Sequence, residues 1–112
     1  MTLEALRAYG ANTGEGMNRC MNNESFYLRM VAMALSDKNF DALTAAINAG
    51  NAAAAFEAAH ALKGSVGNVS LTPIYEPICE LTEVLRKKTL PPDGGKALLM
   101  QIVTAREKAL AL

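Results

Sequence analysis

The stretch Asn51–Val69 reads NAAAAFEAAHALKGSVGNV. Alanine and leucine are strong helix formers, and Asn51 is a good cap for a helix running from Ala52 to about Val69. At ~100° per residue, Ala55, Ala58, Ala59, Leu62, Val66 and Val69 fall on one side and define a buried face. His60 points the other way, and Lys63, Gly64 and Gly67 share its face. An interior glycine costs a helix ~0.5–1 kcal/mol relative to alanine. Two such glycines beside one outward imidazole need a reason, and close approach of another macromolecule supplies one.

The helical period continues on both sides of this stretch, and no segment alternates with a period of two. Thr2–Tyr9 reads as a short amphipathic helix stopped by Gly10, and a second short helix is expected over about Glu15–Met21. Asn22 and Asn23 offer caps, and an apolar stripe through Phe26, Met30, Met33, Phe40, Leu43 and Ile47 predicts one long helix, Glu24–Asn48. Asp37 falls in that stripe and marks the place for a bend or a break near Asp37–Asn39. Gly50 is a left-handed terminator. Thr72 caps the next helix with Pro73 in its first turn, and Ile74, Ile78, Leu81 and Leu85 line its core face as far as Lys88. Pro77 lies inside that helix and is expected to kink it. Pro91–Gly94 forms a turn, Asp93 caps, and Leu98, Leu99, Ile102, Val103 and Ala105 define a last helix within 93–111. Short links make neighbouring helices antiparallel. The fold expected is all-α: an antiparallel up-down-up-down four-helix bundle (24–48, 52–69, 72–88, 93–111) with short N-terminal helices in 1–22, the whole of 1–112 forming one domain.

Composition narrows the function. Lys plus Arg and Asp plus Glu each number 11, so the chain lacks the basic excess that drives nucleic-acid binding. Aromatics are 5% and tryptophan is absent, which argues against a stacking platform for bases or sugars. A single histidine and the absence of a Cys-x-x-Cys pair argue against a metal site or a haem bundle. Cys20 and Cys79 read as small buried hydrophobes rather than a redox pair, and Met30 and Met33 as core filler. No apolar run suits a signal peptide or a membrane span. A cytoplasmic, reduced chain without cofactors is expected, and the start at Met1 suggests a free-standing one.

The chemistry rests on His60. A neutral imidazole is a competent nucleophile near pH 7. The ammonium of Lys63, one turn on, would stabilise a dianionic phosphoryl group on the ring. Glu57, at the preceding turn, could accept the Nδ1 proton and leave Nε2 as nucleophile. Phe56 falls near the same face, as a docking contact or as a boundary core residue. Ser65 lies nearer the flank, where it can bond back to the helix. The run Arg86–Lys88 reads as a solvated helix end. The chain has no Gly-rich nucleotide loop, Walker pattern or kinase ATP lid.

The segment His60, Leu62, Lys63, Gly64, Ser65, Gly67 strongly resembles the signature of histidine phosphotransfer (HPt) domains: a His, an apolar residue, Lys, Gly, a small residue and a second Gly. The resemblance extends to Phe26-Tyr27-Leu28 at the start of a long helix and to the Leu71–Leu85 helix after the motif, where Pro77 is atypical. It implies that His60 is the phospho-accepting residue, that Lys63 and Gly64 assist the phosphoryl group and the partner's approach, and that Gly67 serves close packing or docking. It implies a passive carrier rather than an enzyme. Its partners would be the Asp of a response-regulator receiver domain, which would hold the Mg²⁺, and a sensor histidine kinase, hybrid or not. The competing expectation is a helical adaptor or inhibitor that binds a receiver or kinase without being phosphorylated.

Overall fold

The computed structural model describes residues 1–112, which form seven α-helices. These are α1 (Leu3–Tyr9), α2 (Thr13–Arg19), α3 (Glu24–Leu35), α4 (Asn39–Asn48), α5 (Ala52–Asn68), α6 (Thr72–Val84) and α7 (Lys96–Leu110). Helices α4 to α7 pack in sequence as antiparallel neighbours, and α7 returns against α4 to close a four-helix bundle. Helix α3 prolongs one edge against α5 and α7, which draws the molecule out to 41 × 22 × 19 Å. Ile74, Ile78, Leu81 and Leu85 are fully buried and meet Leu43, Ile47, Leu62, Val66 and Ile102 in one apolar core.

Side-chain caps start several helices. Asn23 Oδ1 accepts the Phe26 N–H at 3.0 Å, and Asn51 Oδ1 accepts that of Ala54 at 3.0 Å. Gly10 and Gly50 take the left-handed conformation after α1 and α4. Asp93 supports the first turn of α7 with both oxygens, accepting from Gly95 N–H at 2.8 Å and Ala97 N–H at 3.0 Å. Those N–H groups, Ala97's first, hold its carboxyl below the ordinary carboxylate range.

The single helix expected over 24–48 is two helices, broken at Ser36–Lys38. Asp37 is the cause. Its Oδ1 accepts the N–H of Asn39 at 2.8 Å and the Asn39 side chain at 3.0 Å, a local turn that competes with the helical ladder. Its Oδ2 accepts the Ser65 hydroxyl of α5 at 3.0 Å. Arg106 of α7 secures the break: its Nε donates to the Leu35 carbonyl at 2.8 Å, and its guanidinium lies 4.5 Å from the Phe40 ring centroid.

The break frees α3 to turn a different face inward. Tyr27, Val31, Ala34 and Leu35 are buried, whereas Phe26 and Met30 are half-buried and Met33 is 60% exposed. The stripe through Phe26, Met30 and Met33 was therefore one residue out of phase, and Met33 is not core filler. Tyr27 decides the phase: its ring lies against Gly16, where a Cβ would collide with Cε1, and its hydroxyl donates to the Val69 carbonyl at 2.9 Å.

Other boundaries shift less. Helix α2 begins at Thr13 instead of Glu15, because Asn12 caps it by accepting the Glu15 N–H at 3.1 Å. Helix α6 ends at Val84 instead of Lys88, whose φ is +58°. Leu71, not Thr72, is its capping residue, and the helix runs through a buried Pro77. Cys20 is buried and Cys79 half-buried, and both thiols are free.

Candidate functional site

Helix α5 carries the site. Ala55, Ala58, Ala59, Leu62 and Val66 are buried against the neighbouring helices. That leaves His60 on the outer side, exposed to solvent. Helical side chains lean toward the N-terminus, so the imidazole lies over the turn that holds Phe56. The two rings are stacked, with centroids 5.8 Å apart and planes inclined by 13°. Phe56 is half-buried and packs on the core, so it is a boundary residue that also touches the histidine. Glu57 is exposed and makes no hydrogen bond to the ring, whose aromatic neighbour is Phe56.

On the C-terminal side of His60 the surface is bare. A Cβ on Gly64 would meet no atom within 4 Å. Lys63 is half-buried, and its ammonium belongs to neither of the ion pairs in the molecule, Arg19–Glu15 at 2.7 Å and Arg86–Glu83 at 2.8 Å. Gly67 is different. A Cβ there would lie 2.8 Å from Cε1 of Tyr75, so this glycine makes room for an aromatic ring of α6. Ser65 faces away from His60: its hydroxyl donates to Asp37 at 3.0 Å and approaches the Leu62 carbonyl at 3.4 Å. The structure thus brings His60, Lys63, Gly64 and Gly67 to one place, with Phe56 beside them, and leaves Glu57 and Ser65 outside it.

That place is an open cleft of ≈ 670 Å³ between α2, α5 and α6, lined by polar and charged residues and the two glycines rather than by aliphatic side chains. Its far wall includes Glu15, Arg19, Tyr75 and Glu76. Arg19 clamps the end of α5: Nη1 donates to the Gly67 carbonyl at 2.9 Å and to Ser70 Oγ at 2.8 Å. Ser70 Oγ in turn donates to Glu15 at 3.0 Å. The bonds to the Gly67 and Val69 carbonyls add side-chain donors to the end of the helix, where Gly67 also accepts the Ser70 N–H at 3.1 Å. They also hold Ser70 at φ +55°, in the left-handed region.

Sequence reasoning missed Tyr75 and Arg19. Tyr75 had a readable signal. Gly67 and Tyr75 lie four residues before and after Leu71, and residues equidistant from the turn of a helical hairpin face each other. For Arg19 only the i,i+4 pairing with Glu15 was readable, since its partners at the end of α5 are 48 and 51 residues away.

A family model described as Hpt domain matches residues 28–109. The chain belongs to the Hpt domain family. No curated protein and no solved structure matches it. The Hpt match takes in His60, Lys63, Gly64 and Gly67 together with the whole four-helix bundle except the last residue of α7. Asn12, Glu15, Arg19 and Tyr27 precede the Hpt match, so the clamp on the end of α5 is built from outside it. No helix is long and apolar enough to cross a membrane.

Proposed function

We propose that the chain is a histidine phosphocarrier that accepts a phosphoryl group on His60 and exchanges it with the aspartate of a response-regulator receiver domain. The observation that carries this reading is the imidazole standing outward on α5 beside a bare Gly64 and an unpaired Lys63 ammonium. In the transfer, a ring nitrogen attacks the aspartyl phosphate in line. The N–P bond forms as the P–O bond to the aspartate breaks, and the electron pair of that bond returns to the carboxylate. Lys63 offsets charge on the phosphoryl oxygens. Gly64 leaves the lane along which the receiver brings phosphorus to within about 3 Å of the nitrogen. Gly67 shapes the cleft by admitting Tyr75.

The chain acts as one unit over 1–112, because Arg19 and Tyr27 tie the N-terminal segment to the end of the His60 helix. It is a carrier without an ATP site of its own and receives phosphate within a relay that begins at a sensor histidine kinase. The free thiols of Cys20 and Cys79 accord with a reducing, cytoplasmic location.

Incubation with a receiver carrying radiolabelled phosphate tests the reading. Label should pass to the wild-type chain and not to His60→Gln. Binding without label on either chain would refute the carrier and leave an adaptor.

A further inference from the structure

We propose that Tyr75 is the apolar anchor on which the receiver domain docks beside His60, a role that rests on the carrier reading above. Its ring lines, from the α6 side, the same cleft that His60, Lys63 and Gly64 line from α5. It is half-buried: part of it packs on the core and part stays open to solvent. The other groups along the walls are polar or charged side chains and glycines, so Tyr75 is the one large apolar surface in the cleft. An apolar centre within a polar rim is the anatomy of a docking site.

The ring is accommodated at the expense of α5. One of its edges lies so close to Gly67 that a Cβ there would fall 2.8 Å from Cε1 and 3.3 Å from Cδ1. A glycine inside a helix destabilises it relative to alanine. A smaller residue at position 75 would let α5 carry alanine at 67, so packing alone does not account for the pair. A tyrosine has two side-chain torsions and presents a large, rigid contact area at low entropic cost. Such residues carry much of the binding energy at interfaces.

The spacing places this anchor under a receiver seated on His60. Gly67 follows His60 by seven residues, about 10 Å along the helix at ~1.5 Å per residue. A stable interface covers about 800 Å² on each partner, equivalent to a disc of about 16 Å radius. Such a disc centred on His60 takes in Gly67 and the ring beside it. Gly64 lies between the two, and a Cβ there would meet no atom, so nothing at that position holds a partner off. Arg19 fixes the α5 backbone at this point by donating to the Gly67 carbonyl at 2.9 Å. The receiver group that fits is an aliphatic or aromatic side chain near its aspartyl phosphate.

The test uses the full chain, its Tyr75→Ala and Tyr75→Phe variants, and a phosphorylated receiver domain that transfers to wild type. Single-turnover transfer is followed against receiver concentration. In Tyr75→Ala the half-saturating concentration should rise about tenfold while the limiting rate stays the same, and Tyr75→Phe should behave as wild type. An unchanged half-saturating concentration in Tyr75→Ala would overturn the proposal. A Tyr75→Phe variant as weak as Tyr75→Ala would overturn it too, since the hydroxyl would then be the contact. Wild type gives a second readout that does not depend on how the variants fold. With unphosphorylated receiver added, the Tyr75 ring protons should show intermolecular nuclear Overhauser contacts to receiver methyl or aromatic protons, and those of the fully buried Tyr27 should not. Receiver binding without contacts to Tyr75 would overturn the proposal as well. Failure of the carrier reading is seen separately, as label that does not pass to the wild-type chain, and the Tyr75 contacts then report docking by themselves.

Discussion

Gly64→Gln is expected to stabilise the fold and to abolish phosphotransfer. Gly64 lies inside α5, is exposed, and has open space where a Cβ would project. The substitution therefore meets no packing penalty and gains the helix propensity that glycine lacks, about 0.5–1 kcal/mol. For a chain of 112 residues that raises Tm by roughly 2–4 °C. The same open space is the approach lane to His60. In-line transfer needs the reacting atoms within about 3–3.5 Å, and a misplacement of about 1 Å costs on the order of 100-fold. A glutamine side chain one turn from the imidazole imposes at least that standoff, so the single-turnover rate from a phosphorylated receiver should drop by about 100-fold or more. Thermal melts and rapid-quench transfer read the two effects independently. A lower Tm would refute the open-surface geometry. Wild-type transfer rates would show that the receiver does not use this lane.

Three further outcomes are expected. Lys63→Ala should fold normally and transfer about tenfold more slowly, the order of one charge-assisted contact, and the deficit should shrink as salt is raised in stopped-flow measurements. Gly67→Ala should give no net stabilisation in urea melts, because its Cβ must displace Tyr75; the propensity gain of about 0.5–1 kcal/mol should emerge only in a Tyr75→Ala background. Asp93 has a depressed carboxyl pKa in the folded state, so its contribution to stability is present above the unfolded value of about 3.9 and is lost as pH falls through the folded value. Wild type should lose an increment of stability below about pH 4 that Asp93→Ala does not lose, measured by denaturant melts at pH 7 and pH 3.

The parts of the fold readable in advance are those set by neighbours in sequence. Asn23 and Asn51 cap from three residues away, and Gly10 and Gly50 terminate by their own backbone freedom; α7, expected over 93–111, runs Lys96–Leu110 with Gly95 as its capping residue, and Asp93 braces that start from outside it. The outward direction of His60 follows from the period of α5 alone. The helix break at Asp37 was visible as an anomaly: the local turn onto Asn39 makes it, and Ser65 and Arg106, 28 residues from Asp37 and 71 from Leu35, secure it. The phase of α3 was misread for a similar reason: Tyr27 is drawn inward by the space at Gly16 and the carbonyl of Val69. At the site, the two motif glycines look alike in sequence and differ in space. One faces open solvent and the other faces Tyr75. Glu57 sits at the spacing for a partner of His60, and the ring's neighbour is Phe56 instead.

The phosphorus–nitrogen bond itself gives the most direct test. The chain is phosphorylated from its receiver and examined by phosphorus-31 NMR with correlation to the ring protons of its one histidine. The account predicts a single phosphorus resonance coupled to the His60 imidazole, stable in alkali and lost in acid, and absent from His60→Gln. A phosphorus resonance that is stable in acid, lost in alkali and coupled to a side-chain methylene such as that of Ser65 would contradict it.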